Sequence, residues 1–227
     1  DRTARISIGR RGRQGKAWPA GNDGLRVDLE VKKHPSKTPN TATIKLFNLS
    51  QKSRNFINTD QVVSVTAGYQ QTQQGIFFGD IQRVKRGGDE ESLHESEDKP
   101  TTIEAGDGVG ALKNATIQKS FAPGVSAEQI ANSLEDELGI GGVSRGFVEA
   151  IRDVEGLRNG FSASGKVRSE LDALFAGTQY YWSIQDDKLE IVGESGVAQS
   201  GVVVLRPDTG LLEANRLENG NVEVKAL

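Results

Sequence analysis

The sequence predicts a mainly β protein with an α+β insert: small β-barrel architecture joined to a compact α/β unit. Three observations carry this expectation. Leu25, Val27, Leu29 and Val31 alternate with Arg26, Asp28, Glu30 and Lys32, the period-2 pattern of a half-buried strand. The chain has 27 glycines against six prolines, which suits many tight turns. At Ser126 the pattern changes: Ile130, Leu134 and Leu138 fall at i, i+4 and i+8 on one helical face.

Ile6 and Ile8 begin the strands, before a glycine-rich, basic stretch from Gly9 to Gly24 that reads as a long hairpin loop. Thr41 to Leu49 is a second clear strand, with Ala42, Ile44 and Leu46 on one face. Ser50 is placed to cap a short helical turn containing Phe56 and Ile57. Val63, Val65, Ala67 and Tyr69 resume the alternation, and a turn runs through Gln70 to Gly75. Ile76 to Val84 and Thr101 to Ala105 complete a run of strands at the spacing of a small barrel or sandwich. Between these two lies Gly87 to Lys99, whose Asp89, Glu90, Glu91, Glu95, Glu97 and Asp98 read as a solvated acidic loop. Residues 1–115 are therefore expected to form a β-barrel domain.

Ser126 and Gln129 make a capping-box pattern, and Gly139 is a natural terminator of that helix. A second helix is expected after Gly165, with Ser164 as its cap, Val167, Leu171, Leu174 and Phe175 inward, and Gly177 at its end. Tyr180 to Ile184 and Lys188 to Val192 flank Gln185-Asp186-Asp187 as a short hairpin. Residues 116–196 thus read as an α+β domain with two helices and a hairpin. Val202 to Leu205 and Val222 to Val224 read as strands separated by Pro207-Asp208-Thr209-Gly210 turn chemistry. Residues 197–227 are expected to be a β segment that closes the first barrel or opens a second.

Composition excludes more chemistry than it offers. A net charge of -3 argues against general affinity for nucleic acid or anionic membrane. The absence of cysteine removes disulfides, thiolate nucleophiles and Cys-based zinc sites. No apolar run approaches the roughly 20 residues of a spanning helix, so no stable membrane insertion is expected. His34 and His94 are the only histidines and lack ligand spacing, and the acidic loop lacks the Asp-x-Asp-x-Asp-Gly rhythm of a calcium loop. Gly160-Phe161-Ser162-Ala163-Ser164 lacks the final glycine of a nucleophile elbow and reads as a loop. Glu135, Asp136 and Glu137 are placed on the solvent side of a helix, while Glu104 and Asp107 flank a glycine turn. Neither set has an apolar pocket suggested around it. Gly9-Arg10-Arg11-Gly12-Arg13-Gln14-Gly15 has phosphate-friendly residue types but no Gly-Lys-Ser/Thr ending. It reads as a flexible basic loop ordered against a partner, and Trp18 alone makes a weak stacking platform. No catalytic residue, metal ligand or cofactor site is predicted, and the chain is not expected to be an enzyme.

The order of the pieces says more. Ile44-Lys45-Leu46-Phe47-Asn48-Leu49-Ser50 leads to Val63-Ser64-Val65-Thr66-Ala67-Gly68-Tyr69, then to Gly75-Ile76-Phe77-Phe78-Gly79-Asp80-Ile81 and Thr102-Ile103-Glu104-Ala105-Gly106-Asp107-Gly108. This succession resembles the first barrel of the tail-hub (baseplate hub) proteins of tailed bacteriophages, the late control protein D-like hubs. Phe121-Ala122-Pro123-Gly124, Gly177-Thr178-Gln179-Tyr180-Tyr181-Trp182-Ser183-Ile184 and Leu205-Arg206-Pro207-Asp208-Thr209-Gly210-Leu211-Leu212 continue the likeness. The resemblance implies a β-barrel with an inserted α/β unit, assembled as a homotrimeric ring around the tail axis. Such a ring links the sixfold tail tube to the threefold central spike and leaves a channel for DNA. The implied partners are copies of the chain itself, the tail tube or distal tail protein, the central spike, the tape measure protein and other baseplate subunits. DNA is met only in transit. The implied location is the virion tail baseplate, assembled in the bacterial host cytoplasm. Relatives continue into more of a second barrel, so the chain is expected to be completed by another chain or to return to its own first barrel.

Two other readings fit the residues. Tyr180, Tyr181 and Trp182 would serve a carbohydrate- or peptidoglycan-binding module if exposed, although their strand position favours a core role. A different tail-tip or wedge subunit is the nearest alternative within the resemblance. The basic and acidic loops, opposite in charge, are expected to dock on neighbouring subunits.

Overall fold

A computed structural model describes residues 2–20, 24–69, 73–87, 100–152, 154, 157–194, 196, 211–216 and 222–226. The acidic segment with His94, part of the Gln70–Gly75 turn, and the strand and turn predicted over 202–210 lie outside the described residues. The chain divides into two compact units, Asp1–Val197 and Ala198–Leu227.

The first unit opens with strands β1 (Arg2–Gly9), β2 (Lys16–Ala20), β3 (Val27–Lys32) and β4 (Thr41–Leu46). Helix α1 (Gln51–Phe56) follows, then β5 (Val62–Tyr69), β6 (Gln74–Arg86) and β7 (Thr101–Gly106). All seven strands join one sheet in the order β2-β1-β5-β6-β7-β4-β3, each pair antiparallel. The sheet curls into a half-barrel, with β2 and β3 at its edges. A single bridge joins Ala20 to Leu25, and the Leu25 N–H donates to Pro19 O at 2.9 Å. Gly24 permits this local approach, because a Cβ there would lie 2.3 Å from Pro19 O.

Alternation places Ile6, Ile8, Ile44, Leu46, Val63, Val65, Phe77, Ile81 and Ile103 in one apolar core. Each buried side chain of this size contributes about 1.5–3 kcal/mol. A one-residue register slip would turn a whole strand's apolar set toward water, so burial fixes the pairing. At one end Ser50 accepts the Ser53 N–H and caps α1, as its sequence position predicts. Phe56 of that helix stacks at a tilt on Trp18, with ring centroids 6.3 Å apart. Strand β2 lies inside the stretch that reads as a long loop. Its Pro19 is compatible with a strand only because β2 is a sheet edge.

The second core belongs to α2 (Val109–Asn114), β8 (Thr116–Phe121), α3 (Ala127–Ile140), β9 (Ser144–Val148), β10 (Phe161–Lys166), α4 (Val167–Phe175), β11 (Tyr180–Ile184) and β12 (Lys188–Gly193). β8 and β10 form an antiparallel ribbon; β11, β12 and β9 form a three-stranded sheet in which β9 runs parallel to β12. The capping box at Ser126 and Gln129 is present in full. Helix α3 runs through Gly139 to Ile140 and is capped by Gly141, because one helical glycine costs only about 1 kcal/mol. Residues 161–164 are strand where a loop is expected. Lys166 occupies the α4 cap position, and the Ser164 N–H instead donates to Glu170 at 3.3 Å. The mainly β fold with α+β elements thus agrees with the sequence. In the second unit, β13 (Leu211–Arg216) and β14 (Val222–Ala226) pair as an antiparallel hairpin.

Candidate functional site: a buried polar joint

The two cores of the first unit meet where β7 ends and the β11–β12 turn begins. Gln185 and Lys188 exchange backbone hydrogen bonds of 2.9 and 3.1 Å. Between them Asp186 and Asp187 stand at φ 52° and 59°. Positive φ at both central positions is the geometry of a type I′ hairpin turn, which usually employs Asn-Gly. Two aspartates carry strain here, and the surroundings hold them in place. Asp107 is wholly buried and accepts the N–H of Asp186 at 2.6 Å and of Asp187 at 2.8 Å.

Asn40 completes this grip. Also wholly buried, it donates to Asp107 at 3.1 Å, to Ile184 O at 3.2 Å and to Gln185 Oε1 at 2.9 Å. Its oxygen accepts the His34 N–H at 2.7 Å, and Gln185 donates back to His34 O at 2.8 Å. Lys33 adds an ion pair to Asp186 at 2.7 Å.

Arg11 closes the joint from the opposite side. Its guanidinium pairs with Asp187, with Asp80 at 2.9 Å and with Gly142 O at 3.2 Å, and lies 5.5 Å from the Phe78 ring centroid. The second Asp80 oxygen accepts the Gly110 N–H at 2.8 Å. Gly108, at φ 60°, is required by close approach, since a Cβ there would meet Ile184 at 2.8 Å. Groups from β6, β7, the basic loop, the segment after β3 and the hairpin therefore converge on one turn.

Burial pushes the Asp107 carboxyl above the usual carboxylate range, against its donors from Asp187, Asp186 and Asn40; the neighbouring Asp187 adds to the rise. Burial likewise raises Asp187, opposed by Arg11. Burial lowers Arg11, but its hydrogen bonds to Asp187 and Asp80 outweigh this and leave it raised. A carboxyl raised by folding holds its proton more tightly in the folded chain. Its stabilising contribution is therefore complete below the unfolded value, about 4, and is lost as pH rises through the folded value. Urea unfolding is expected to show wild type losing stability relative to Asp107→Asn as pH rises from about 4 to 7. A relative gain over that range would contradict the assignment.

The joint gathers residues that sequence reasoning scattered. Asp107 and Glu104 are no pair: Glu104 faces outward, 3.8 Å from both Arg83 and Lys85, while Asp107 is interior. Glu135 is buried rather than on the solvent side, 3.8 Å from Arg145, and burial raises its pKa. The basic loop is ordered by its own chain, through Arg11 and through an Arg10–Asp60 ion pair of 2.6 Å. Trp182 is in the second core, and Tyr180 Oη bonds the Arg152 N–H at 2.9 Å; of these three rings Tyr181 alone is exposed, at 55%. Among the described residues, no group of three or more His, Cys, Asp or Glu is arranged to hold a metal ion. No described helix is long and apolar enough to cross a membrane.

No protein-family model matches the chain, and no curated protein matches it in sequence. Its fold is matched by solved structures. One is the 43 kDa tail protein of prophage MuSo2 from Shewanella oneidensis, at 15% identity and a TM-score of 0.56 over 92% of this chain and 60% of that one. Another is a tail protein from Neisseria meningitidis MC58, at 9% identity and a TM-score of 0.56 over 93% of this chain and 58% of that one. The chain spans about three fifths of the length of either, and at these identities the likeness is one of fold.

Proposed function

We propose that this chain is a structural component of a bacteriophage tail, and within the tail a hub subunit. Its ring would link the tail tube to the central spike, leave a channel for DNA, and do no bond chemistry. One observation carries the reading: the fold is shared over more than nine tenths of the chain with two tail proteins, one of them from a prophage. The joint supports it, because a subunit that transmits baseplate movement needs its barrel and its α+β part fixed to each other. The partners of this reading are copies of the chain, the tube or distal tail protein, the spike, the tape measure protein and neighbouring baseplate subunits. The location is the virion tail.

The carbohydrate-binding reading loses its main support, since only Tyr181 of the three adjacent rings is available for stacking. Light scattering over a concentration series tests the hub reading. A trimer is expected, as a threefold ring requires. A monomer at every concentration would contradict the ring.

A further inference from the structure

A groove of about 440 Å³ crosses the outside of β1, β2 and the loop between them. Arg5, Arg10, Arg11, Arg13 and Lys16 line it, and among the described residues no carboxylate does. Arg10 and Arg11 spend their charge on Asp60, Asp80 and Asp187. Arg5 and Arg13 have no ion-pair partner among the described residues. The groove is also preorganised. The Arg13 N–H donates to Arg10 O at 3.0 Å across a turn with Gly12 at φ 71°, and Gly15 packs against Ile8 O where a Cβ would lie 2.3 Å away. Rigid display of unpaired cations lowers the ordering cost of binding an anionic peptide.

We infer that this groove receives an acidic peptide segment, residues 89–98, of a second copy of the chain. Charge complementarity selects the occupant: those ten residues hold Asp89, Glu90, Glu91, Glu95, Glu97 and Asp98 in a chain of net charge only -3. The chain's own segment is the alternative occupant, and the double variant below distinguishes the two. The segment leaves from Gly87 and returns at Pro100, joined by a 2.8 Å hydrogen bond. The adjacent Arg86 donates to Arg54 O and to Ile57 O at the end of α1, at 3.3 and 2.8 Å. The groove lies next to that helix, where Lys16 sits 4.6 Å from the Phe56 ring centroid. In the sheet, β5 separates β6 from β1 and β2. The inference rests on the ring reading.

The chain's lack of cysteine makes the test direct. Single variants Arg13→Cys and Glu91→Cys of the full chain are mixed and mildly oxidised, with Lys45→Cys replacing Arg13→Cys as the control. A disulfide-linked pair is expected in at least roughly tenfold excess over the control, because docking raises the effective thiol concentration. Linking no better than the control would overturn the inference. So would a double variant, Arg13→Cys with Glu91→Cys, that closes within one chain while the mixed singles stay unlinked. A trimer without the link would remove this contact and leave the ring standing. A link in a particle that is not a trimer would uphold the contact and remove the ring.

Discussion

Asp107→Ala is expected to destabilise the chain by about 3–5 kcal/mol, because it strips several buried donors of their acceptor at once. The substitution leaves the amides of Asp186 and Asp187 without their acceptor and takes one partner from Asn40. Each such buried group costs about 1–3 kcal/mol. The turn loses the contacts that hold two aspartates at positive φ, so part of their backbone strain appears as well. For a chain of this size the melting temperature should fall by roughly 10 °C. Asp107→Asn keeps one acceptor oxygen and should fall by less. Urea unfolding with amide exchange checks both, and exchange should rise first across residues 184–191. A loss below about 1 kcal/mol for the alanine variant would mean that the joint is not what holds the hairpin.

Phe77→Ala should cost about 3–5 kcal/mol for a different reason: it opens a cavity in the middle of the first core. Phe77 is 1% exposed and faces a core of β-branched and leucine side chains from six strands, which cannot collapse without disturbing the sheet. Tyr181→Ala is the matched control, an aromatic of similar size that is 55% exposed, and should change stability by no more than about 0.5 kcal/mol. Unfolding midpoints of the two variants decide the matter. Equal losses would contradict the assignment of the core.

The strands around the first core were legible because burial there follows local period: Ala42, Ile44 and Leu46 announce their face without reference to any other residue. The same holds for α3, where the capping box and an i, i+4 pattern agree. Strand β8 was hidden because in Thr116–Phe121 only Ile117 is fully buried, which leaves no alternation to read. Strand β2 was hidden by glycine on both sides and by Pro19. The joint was illegible for a deeper reason. Asp107 and Arg11 each meet Asp187, from 80 and 176 positions away. No window along the chain contains such a pair. The available signals were indirect: an aspartate between two glycines at the end of a strand, and two aspartates in a turn that ordinarily takes Asn-Gly. Glu135 shows the limit of face assignment, since it lies next to Leu134 and is drawn inward with it.

Under the proposed function the chain is built into a phage tail. Immunogold labelling of intact tails, purified from cells in which the chain is made together with the genes that surround its own, tests this most directly. Label concentrated at one end of the tail is the predicted result. Tails without label, with the chain recovered only free of them, would contradict the account.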